Sequence, residues 1–304
     1  MPYRRKTQKI RDNIHSIIRR AAYIVILQLV LGLSACASLR SDQKPQKESK
    51  PTISNENTAR IVIIMYHSVR KGVESDYAVT PDTLRADFMY LRENHYSVVS
   101  AEDMLKFVYD SIPLPKNPVY LTFDDGFYNN LAYVLPLLEE FDFCATVNIV
   151  GEFTEQLAPA DSHVPAYSYL TVEDCAALLA SGRVTLGNHT THFHHRETRS
   201  GCSILCGEDE ARYHALLYSD LSYLQDFLAS KLNCTPFVFA YPYGFECPES
   251  FPVLKDLGFL ITLSCCEHPN ILRQGAPDCL FGLGRYNRAG NQSSETFFHR
   301  IESD

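Results

Sequence analysis

Short apolar runs rich in β-branched and aromatic residues recur along the chain, and most of them end in polar residues or glycine. Runs of this length are typical of buried strands, and the segments between them have the spacing of amphipathic helices. The sequence predicts strands at residues 61–65, 96–100, 119–123, 145–150, 184–186, 237–240, 260–264 and 281–285. It predicts helices at residues 80–94, 101–109, 131–141, 172–181 and 208–232. This alternation indicates a parallel α/β arrangement.

Several predicted strands end in side chains that are suited to catalysis. Asp124 and Asp125 follow one strand in the sequence Thr-Phe-Asp-Asp-Gly, and His67 ends the first strand. Strand ends of this kind carry the active sites of α/β barrels and open sheets, so these residues favour one shared site. Asp-Asp-Gly is equally ordinary in a turn, and for this motif alone that alternative stays open.

A cluster of histidines follows the predicted strand at residues 184–186. Its four members lie within seven residues and are His189, His192, His194 and His195. Imidazole is a common metal ligand, and one or two carboxylates with two histidines form a familiar set for a divalent metal. A single histidine is more often structural. Four together, in a chain that also offers two adjacent carboxylates, favour a metal site.

Three motifs carry a family resemblance. They are residues 122–126 (Thr-Phe-Asp-Asp-Gly), 187–190 (Gly-Asn-His-Thr) and 239–244 (Phe-Ala-Tyr-Pro-Tyr-Gly). Together they resemble the polysaccharide deacetylase family, the NodB-homology group of carbohydrate esterases, over residues 60–304. The resemblance implies an α/β fold, a distorted (β/α) barrel in a single domain. It also implies a metal-dependent hydrolase that removes acetyl groups from N-acetylated or O-acetylated sugars.

The motif positions imply roles for individual residues. By the resemblance, Asp124 is the general base, and Asp125 and His189 bind the metal. In most of the family the second histidine ligand falls where this chain has Phe193. A branch that includes poly-N-acetylglucosamine deacetylases uses a spacing one residue longer, which reaches His194. We therefore expect His194 to be the third ligand.

The remaining histidines are candidates for the third metal ligand, for the rim of the site or for the catalytic acid. His192 is the alternative third ligand, although its spacing fits neither family pattern, and His195 is expected at the rim. The family's Leu-x-His motif, which normally supplies the catalytic acid, has no match, since neither His268 nor His299 fits it. The poly-N-acetylglucosamine branch instead uses a histidine at the end of the first strand, which implies His67 as the acid. A structural histidine near a turn is the alternative for that position.

The third motif lacks the arginines that many family members carry before its proline. Arg285 is the candidate to replace them as the partner of Asp124, and a backbone N–H near Tyr243 is the candidate to help hold the oxyanion. The implied cofactor is a divalent metal with Zn²⁺ as the default, because such an ion activates water and polarises a carbonyl. The chain has no Trp, so sugar stacking would fall to Tyr241, Tyr243 or Phe193.

Two alternatives accompany the deacetylase hypothesis. One is an O-acetyl esterase that uses the same site. The other is an inactive glycan-binding lipoprotein, which the missing Leu-x-His and arginines motivate, although the intact Asp124 and Asp125 pair argues against it. The sequence leaves the acetylated polysaccharide open among peptidoglycan, poly-N-acetylglucosamine, chitin-like oligomers and acetylated xylan.

The N-terminus predicts export. Residues 1–20 hold seven basic residues and one acidic residue, an apolar run covers residues 21–33, and Leu-Ser-Ala-Cys ends at Cys36. This is the pattern of a secretory signal, and its end resembles a bacterial lipobox. We therefore expect residues 1–36 to be a signal peptide, residues 37–59 a disordered tether, and lipidated Cys36 an anchor on the outer face of the cytoplasmic membrane. An uncleaved signal anchor is the alternative.

Charge and cysteine content add two expectations. Beyond residue 35 the chain carries 21 basic and 35 acidic residues, a net charge near −14. Nucleic-acid binders show a basic face, and none stands out, so we expect no nucleic-acid partner. Of the ten cysteines, Cys202 and Cys206 are close enough for a disulfide in an oxidising compartment, whereas their spacing is not the usual Cys-x-x-Cys of a metal pair.

Overall fold

The computed structural model describes residues 57–160 and 163–304, which belong to one compact unit, Ile53–Asp304. The expected signal peptide, Cys36 and nearly all of the expected tether lie outside the described residues. Within the described ranges, no helix combines the length and the apolar character that crossing a membrane requires.

Strands and helices alternate along the chain, as the sequence pattern predicts. The strands are β1 (Thr58–Tyr66), β2 (Ser68–Val69), β3 (Ala78–Val79), β4 (Ser97–Val98), β5 (Pro118–Phe123), β6 (Ala145–Ile149), β7 (Val184–Asn188), β8 (Val238–Ala240), β9 (Ile261–Leu263), β10 (Asn270–Arg273) and β11 (Tyr286–Asn287). The α-helices are α1 (Pro81–Glu93), α2 (Ala101–Asp110), α3 (Leu135–Phe141), α4 (Val172–Ala180), α5 (Glu210–Leu232), α6 (Phe251–Asp256) and α7 (Ser294–Ser303). Short π-helical segments, Asn130–Val134 and Phe153–Leu157, follow β5 and β6.

The main sheet is parallel and curled. Its central strands neighbour one another in the order β1, β5, β6, β7, β8, β9, and every one of these pairings is parallel. Residues 283–287 pair at both edges, since Leu283 bridges to Leu263 on β9 and Tyr286 pairs with Ile64 on β1. This closing segment joins the two edges into a distorted barrel. The carboxyl ends of the parallel strands therefore meet around one opening.

Both faces of the central strands are buried, which explains their continuous apolar runs. On β1, Ile61 and Ile63 enter one core cluster, whereas Val62 and Ile64 enter another that includes residues of α1 and α3. Successive side chains of a strand point to opposite faces, so a strand covered on both sides needs apolar residues at every position. The strands that carry the site are thus fixed from two directions.

The helices that lead into the site begin at well-formed caps. The Thr171 hydroxyl accepts a hydrogen bond from the backbone N–H of Asp174, and the Asp174 carboxylate accepts one from the backbone N–H of Thr171, a capping box that starts α4. Asp209 caps α5 by accepting from the backbone N–H of Arg212 at 2.9 Å. The Asp209 cap explains why the predicted helix at 208–232 starts at Glu210.

Three differences from the sequence expectation concern β1 and the strands that pair with it. β1 starts at Thr58, inside the expected tether, because Thr58 pairs with Arg273 of β10. The strand β10 itself was not predicted, since only two of its four residues are apolar and burial alternates along it. The strand expected at 281–285 is instead a bridge at Leu283 followed by β11.

Candidate active site

A cavity of about 580 Å³ opens at the carboxyl ends of the parallel strands. It lies where β1, β5, β7 and β8 end, which is the edge that carries the sites of α/β barrel enzymes. Its lining includes His67, Asp124, Asp125, His189, His194 and Tyr243. Residues from four separate predicted strand ends therefore share one cavity.

Asp125, His189 and His194 form a cluster that can hold a metal ion. Each offers one ligand atom, and the three atoms lie within 4.8 Å of one another. The Oδ1 atom of Asp125 is 3.1 Å from Nε2 of His194 and 3.7 Å from Nε2 of His189. One oxygen and two imidazole nitrogens form a familiar ligand set for a divalent first-row metal.

His189 is fixed in the orientation and tautomer that a metal ligand needs. Its Nδ1–H donates to the backbone carbonyl of Ala240 at 2.7 Å, which leaves the Nε2 lone pair facing Asp125. Burial lowers the pKa of His189 to about 4, although Asp124 and Asp125 act in the opposite direction. The ring is therefore neutral at neutral pH, as metal binding requires.

His194 lies among three aromatic rings of the site. Its ring centroid is 4.9 Å from that of His189, 5.4 Å from that of Phe153 and 5.0 Å from that of Tyr243. Burial lowers the pKa of His194, but the hydrogen bond and charge of Asp125 outweigh it and raise the pKa overall. The carboxylate of Asp125 thus favours positive charge at this point of the cavity.

Three non-glycine residues at the strand ends have left-handed backbone conformations. The φ angles are 71° at Asp125 after β5, 70° at Thr190 after β7 and 59° at Tyr243 after β8. Such conformations each cost about 1–3 kcal/mol and persist only where the surrounding structure enforces them. Their position at three strand ends turns the chain sharply beside the cavity.

Asp124 is buried and tightly bound. Arg285 donates from Nη1 to Oδ1 and from Nη2 to Oδ2, each at 2.8 Å, and Asn148 donates to Oδ1 at 2.7 Å. Burial raises the pKa of Asp124, but the Arg285 guanidinium and then His189 outweigh it and hold the pKa well below its usual range. The carboxylate is therefore ionised, and its plane is fixed by a bidentate pair.

Arg285 reaches Asp124 from the closing segment. Its side chain is fully buried, and its Nε donates to the backbone carbonyl of Ser264 at 2.8 Å. The structure thus places Arg285 against Asp124, as expected for a substitute for the absent motif arginines. The other hydrogen-bond partner of Asp124, Asn148 on β6, was not predicted from the sequence.

The sequence did hold a signal for Asn148. It is the one amide side chain in the apolar run 145–150, and the facing position on β7 is Gly187. A Cβ atom at Gly187 would lie 2.0 Å from Oδ1 of Asn148. Glycine in the second motif therefore makes room for the amide that binds Asp124.

His67 lines the cavity on the side of β1. Its ring packs edge-on to Tyr77, with centroids 5.1 Å apart. Its Nδ1 is buried and has no hydrogen-bond partner among the described residues. In the same cavity, burial raises the pKa of Asp125, but the hydrogen bond from His194 and the neighbouring histidines outweigh it and lower the pKa overall.

Other candidate histidines lie away from the metal cluster. His192 is half exposed, and its Nδ1 lies 3.5 Å from the carboxylate of Glu152. His195 lies 3.5 Å from Glu197. His268 and His299 are exposed elsewhere on the surface.

Two residues expected to stack on sugar are placed elsewhere. Tyr241 is fully buried, and its hydroxyl is 2.7 Å from that of Ser250, so it cannot contact a polymer. Phe193 packs against the core cluster beneath the guanidinium of Arg199. Tyr243 does line the cavity, together with Phe245, and the Arg196 guanidinium lies over both rings.

Cys202 and Cys206, which are close enough in sequence for a disulfide, are not joined in this structure. Both thiols are free, and Cys202 is buried in a core cluster whereas Cys206 is exposed. Closeness in sequence was a poor guide here because the two side chains face different environments.

Comparison with known sequences agrees with this geometry. The family model described as polysaccharide deacetylase matches residues 111–261. A curated relative, the poly-beta-1,6-N-acetyl-D-glucosamine N-deacetylase of Escherichia coli O157:H7, is 26% identical over 261 residues. That alignment covers 78% of this chain and 39% of the relative, so the chain spans about two fifths of the length of the curated relative it matches.

Solved structures share the architecture. A deacetylase of Streptococcus pyogenes, solved in complex with acetate, is 20% identical with a TM-score of 0.64, over 80% of this chain and 98% of that chain. A de-N-acetylase from Aggregatibacter actinomycetemcomitans is 20% identical with a TM-score of 0.67, over 79% of this chain and 99% of that chain. These likenesses confirm the expected distorted α/β barrel. The family match, which spans all three motifs, and the curated relatives place the chain in the polysaccharide deacetylase family, as its motifs indicate.

Proposed function

We propose that this chain is a metal-dependent deacetylase that hydrolyses the acetamide of N-acetylglucosamine units in a cell-surface polysaccharide. The observation that carries the proposal is the convergence of Asp125, His189 and His194 beside the Arg285-bound Asp124 on one cavity. Relatives named as poly-beta-1,6-N-acetyl-D-glucosamine N-deacetylases support that polymer ahead of peptidoglycan or chitin-like oligomers.

The donor set fits a divalent cation, and Zn²⁺ is the ion we propose. His189 presents a neutral Nε2, and His194 and Asp125 complete a three-ligand set that leaves positions open for water and substrate. Bound there, such an ion supplies Lewis acidity toward the acetyl carbonyl and makes a nearby water more acidic.

Asp124 is the proposed proton acceptor for the attacking water. Its Oδ1 accepts two hydrogen bonds, from Arg285 and Asn148, whereas its Oδ2 accepts one, from Arg285. A carboxylate oxygen has two lone pairs, so Oδ2 keeps one with which to accept a proton. Arg285 and Asn148 fix the plane of the carboxylate, so the remaining lone pair on Oδ2 is oriented but stays free to accept a proton.

His67 is the proposed acid for the leaving nitrogen, and Tyr243 the proposed second oxyanion contact. His67 lines the cavity, and its Nδ1 makes no hydrogen bond with the other described residues. Asp124 and Asp125 line the same cavity, and an acid at the position of His67 would deliver its proton to the leaving amine. The backbone at Tyr243 is turned sharply beside the cavity, where its N–H can assist the metal in stabilising negative charge on the acetyl oxygen.

Chelation is expected to abolish acetate release from N-acetylglucosamine oligomers, and Zn²⁺ should restore it. The measurement is acetate released by the purified chain before chelation, after dialysis against a chelator, and after return of the metal. Acetate release that survives metal removal would contradict the proposal. Bound zinc with release only from O-acetylated glycans would favour the esterase alternative, and bound zinc with no release from any acetylated glycan would favour a binding protein.

We also propose that Cys36 is lipidated and anchors the enzyme outside the cytoplasmic membrane. The lipobox-like sequence Leu-Ser-Ala-Cys and the basic and apolar segments before it support this. Cys36→Ala is expected to prevent incorporation of a labelled fatty acid into the protein in a bacterial host, with Cys206→Ala as a control at an exposed thiol of the folded domain. Equal labelling of the two variants would contradict the proposed anchor.

A further inference from the structure

We infer that Asp220, on α5, is a positioning residue that holds the loop between His189 and His194 in its metal-binding shape. The inference rests on the proposed metal-dependent function. Asp220 lies outside all three family motifs, 26 residues beyond His194 along the chain.

The contacts of Asp220 are directed at the backbone of this loop. Its Oδ2 accepts a hydrogen bond from the backbone N–H of Thr191 at 2.8 Å, and its Oδ1 accepts one from the backbone N–H of His192 at 2.7 Å. The Thr191 hydroxyl donates to the backbone carbonyl of Asp220 at 2.6 Å. One residue of α5 thus binds two consecutive peptide groups that lie between two metal-ligating histidines.

Burial makes these hydrogen bonds important. Asp220 is 7% exposed, and none of the salt bridges among the described residues involves it. A buried carboxylate without a cationic partner is tolerated only where hydrogen bonds stabilise its charge. The two backbone N–H groups of the loop supply them, so the carboxylate and the loop conformation depend on each other.

The same loop is held from its other side. The backbone N–H groups of Gly151 and Glu152 donate to the carbonyls of Thr190 and Thr191, at 2.9 and 3.2 Å. A Cβ atom at Gly151 would lie 3.0 Å from Cγ2 of Thr191, so the two backbones are in close contact. The loop is therefore clamped between α5 and the chain after β6, with the strained Thr190 at its bend.

The role requires a carboxylate. Two backbone donors face the two oxygens of Asp220, and each oxygen accepts one of them. Asparagine has nearly the same shape but offers one acceptor oxygen and one NH₂ group, so one loop N–H would face another donor. Asp220→Asn is therefore expected to loosen the loop with little change in side-chain volume.

The test compares Asp220→Asn with Asp226→Asn in the full-length chain. Asp226 lies on the same helix and is exposed, so it gives the same chemical change without contact to the loop. Zn²⁺ affinity, measured by competition with a chromophoric chelator, is expected to fall about 10–100-fold in Asp220→Asn, the loss typical of residues that support metal ligands. It should be unchanged in Asp226→Asn. Hydrogen exchange at the Thr191 and His192 amides should accelerate in the first variant alone.

A second variant and a stability measurement separate positioning from general structure. Asp220→Glu keeps both acceptor oxygens of a carboxylate and is expected to retain more Zn²⁺ affinity than Asp220→Asn. Thermal unfolding of each metal-free variant identifies temperatures at which all are folded, and affinity is compared there. Native Zn²⁺ affinity in folded Asp220→Asn, or unchanged amide protection, would overturn the inference. Failure of the unsubstituted chain to bind Zn²⁺ would instead overturn the proposed function.

Discussion

Asp124→Asn should lower the rate of acetate release by about 10²–10⁴-fold, the range that a positioned general base contributes. Asparagine keeps the shape of the side chain but cannot take a proton from water. Zinc content should be unchanged, because Asp124 is not among the three residues whose ligand atoms converge. Acetate release and zinc content, measured on the same preparation, check both parts of the prediction.

The control for this variant must account for a buried charge. Asp124→Asn leaves the fully buried guanidinium of Arg285 without its carboxylate, and breaking such a pair costs about 3–5 kcal/mol of stability. The chain contains a matched pair, since Asp87 and Arg288 are also fully buried and joined by two hydrogen bonds of 2.8 and 2.9 Å. Neither Asp87 nor Arg288 lines the cavity.

Asp87→Asn should therefore lose similar stability and keep most of its activity at temperatures where both variants are folded. Denaturant unfolding gives the stability of each variant, and acetate release gives the activity. Equal loss of activity in the two variants would mean that Asp124 acts through stability and not as the proton acceptor. Activity retained in Asp124→Asn would show that the base assignment is wrong.

The second large effect is expected at the third ligand. His194→Ala should lower Zn²⁺ affinity by at least about 100-fold, because loss of a ligand exceeds the 10–100-fold effect of residues that only support ligands. Acetate release should fall with it at limiting zinc. His192→Ala is the matched control, since His192 lies two residues away and its half-exposed side chain lies near Glu152, in a surface pair worth about 0–1 kcal/mol, and near the ring of Tyr223. The substitution keeps the backbone N–H that donates to Asp220.

Zinc titrations of the two variants distinguish the candidate ligands directly. Loss of affinity in His194→Ala alone supports the longer motif spacing. Loss in His192→Ala alone would reverse the assignment. If both variants bind Zn²⁺ as tightly as the unsubstituted chain does, neither histidine binds the metal.

The central strands and the strand-end residues could be predicted from sequence because their signals are local. The buried parts of β1 and β5, residues 61–66 and 119–123, are apolar or aromatic at every position except Thr122, and the polar residues that follow mark the ends of these strands. Asp124 and Asp125 could be located in this way. The family resemblance supplied what local pattern could not, namely the choice between His192 and His194.

The supporting residues could not be predicted because their roles depend on contacts between distant segments. Asn148 approaches Asp124 only because β6 pairs with β7 opposite Gly187, and Asp220 reaches the histidine loop only because α5 packs over it. A single amide in an apolar strand or a single acid on a long helix has many possible explanations. The exclusion of Tyr241 from sugar contact likewise follows from packing, since an aromatic residue after a strand can face either the core or the cavity.

The closing segment has a consequence for how the enzyme is made. Arg285 is synthesised 161 residues after Asp124, and the strand pairing that holds it also joins the two edges of the sheet. A nascent chain that has emerged only as far as β9 contains Asp124 and all three proposed metal ligands but lacks Arg285, the cation that keeps the buried Asp124 ionised and aligned. The arrangement proposed for hydrolysis is therefore complete only when the barrel closes, and not when the catalytic motifs first emerge. For the exported enzyme that we propose, this timing would couple the onset of activity to completion of folding outside the cytoplasmic membrane.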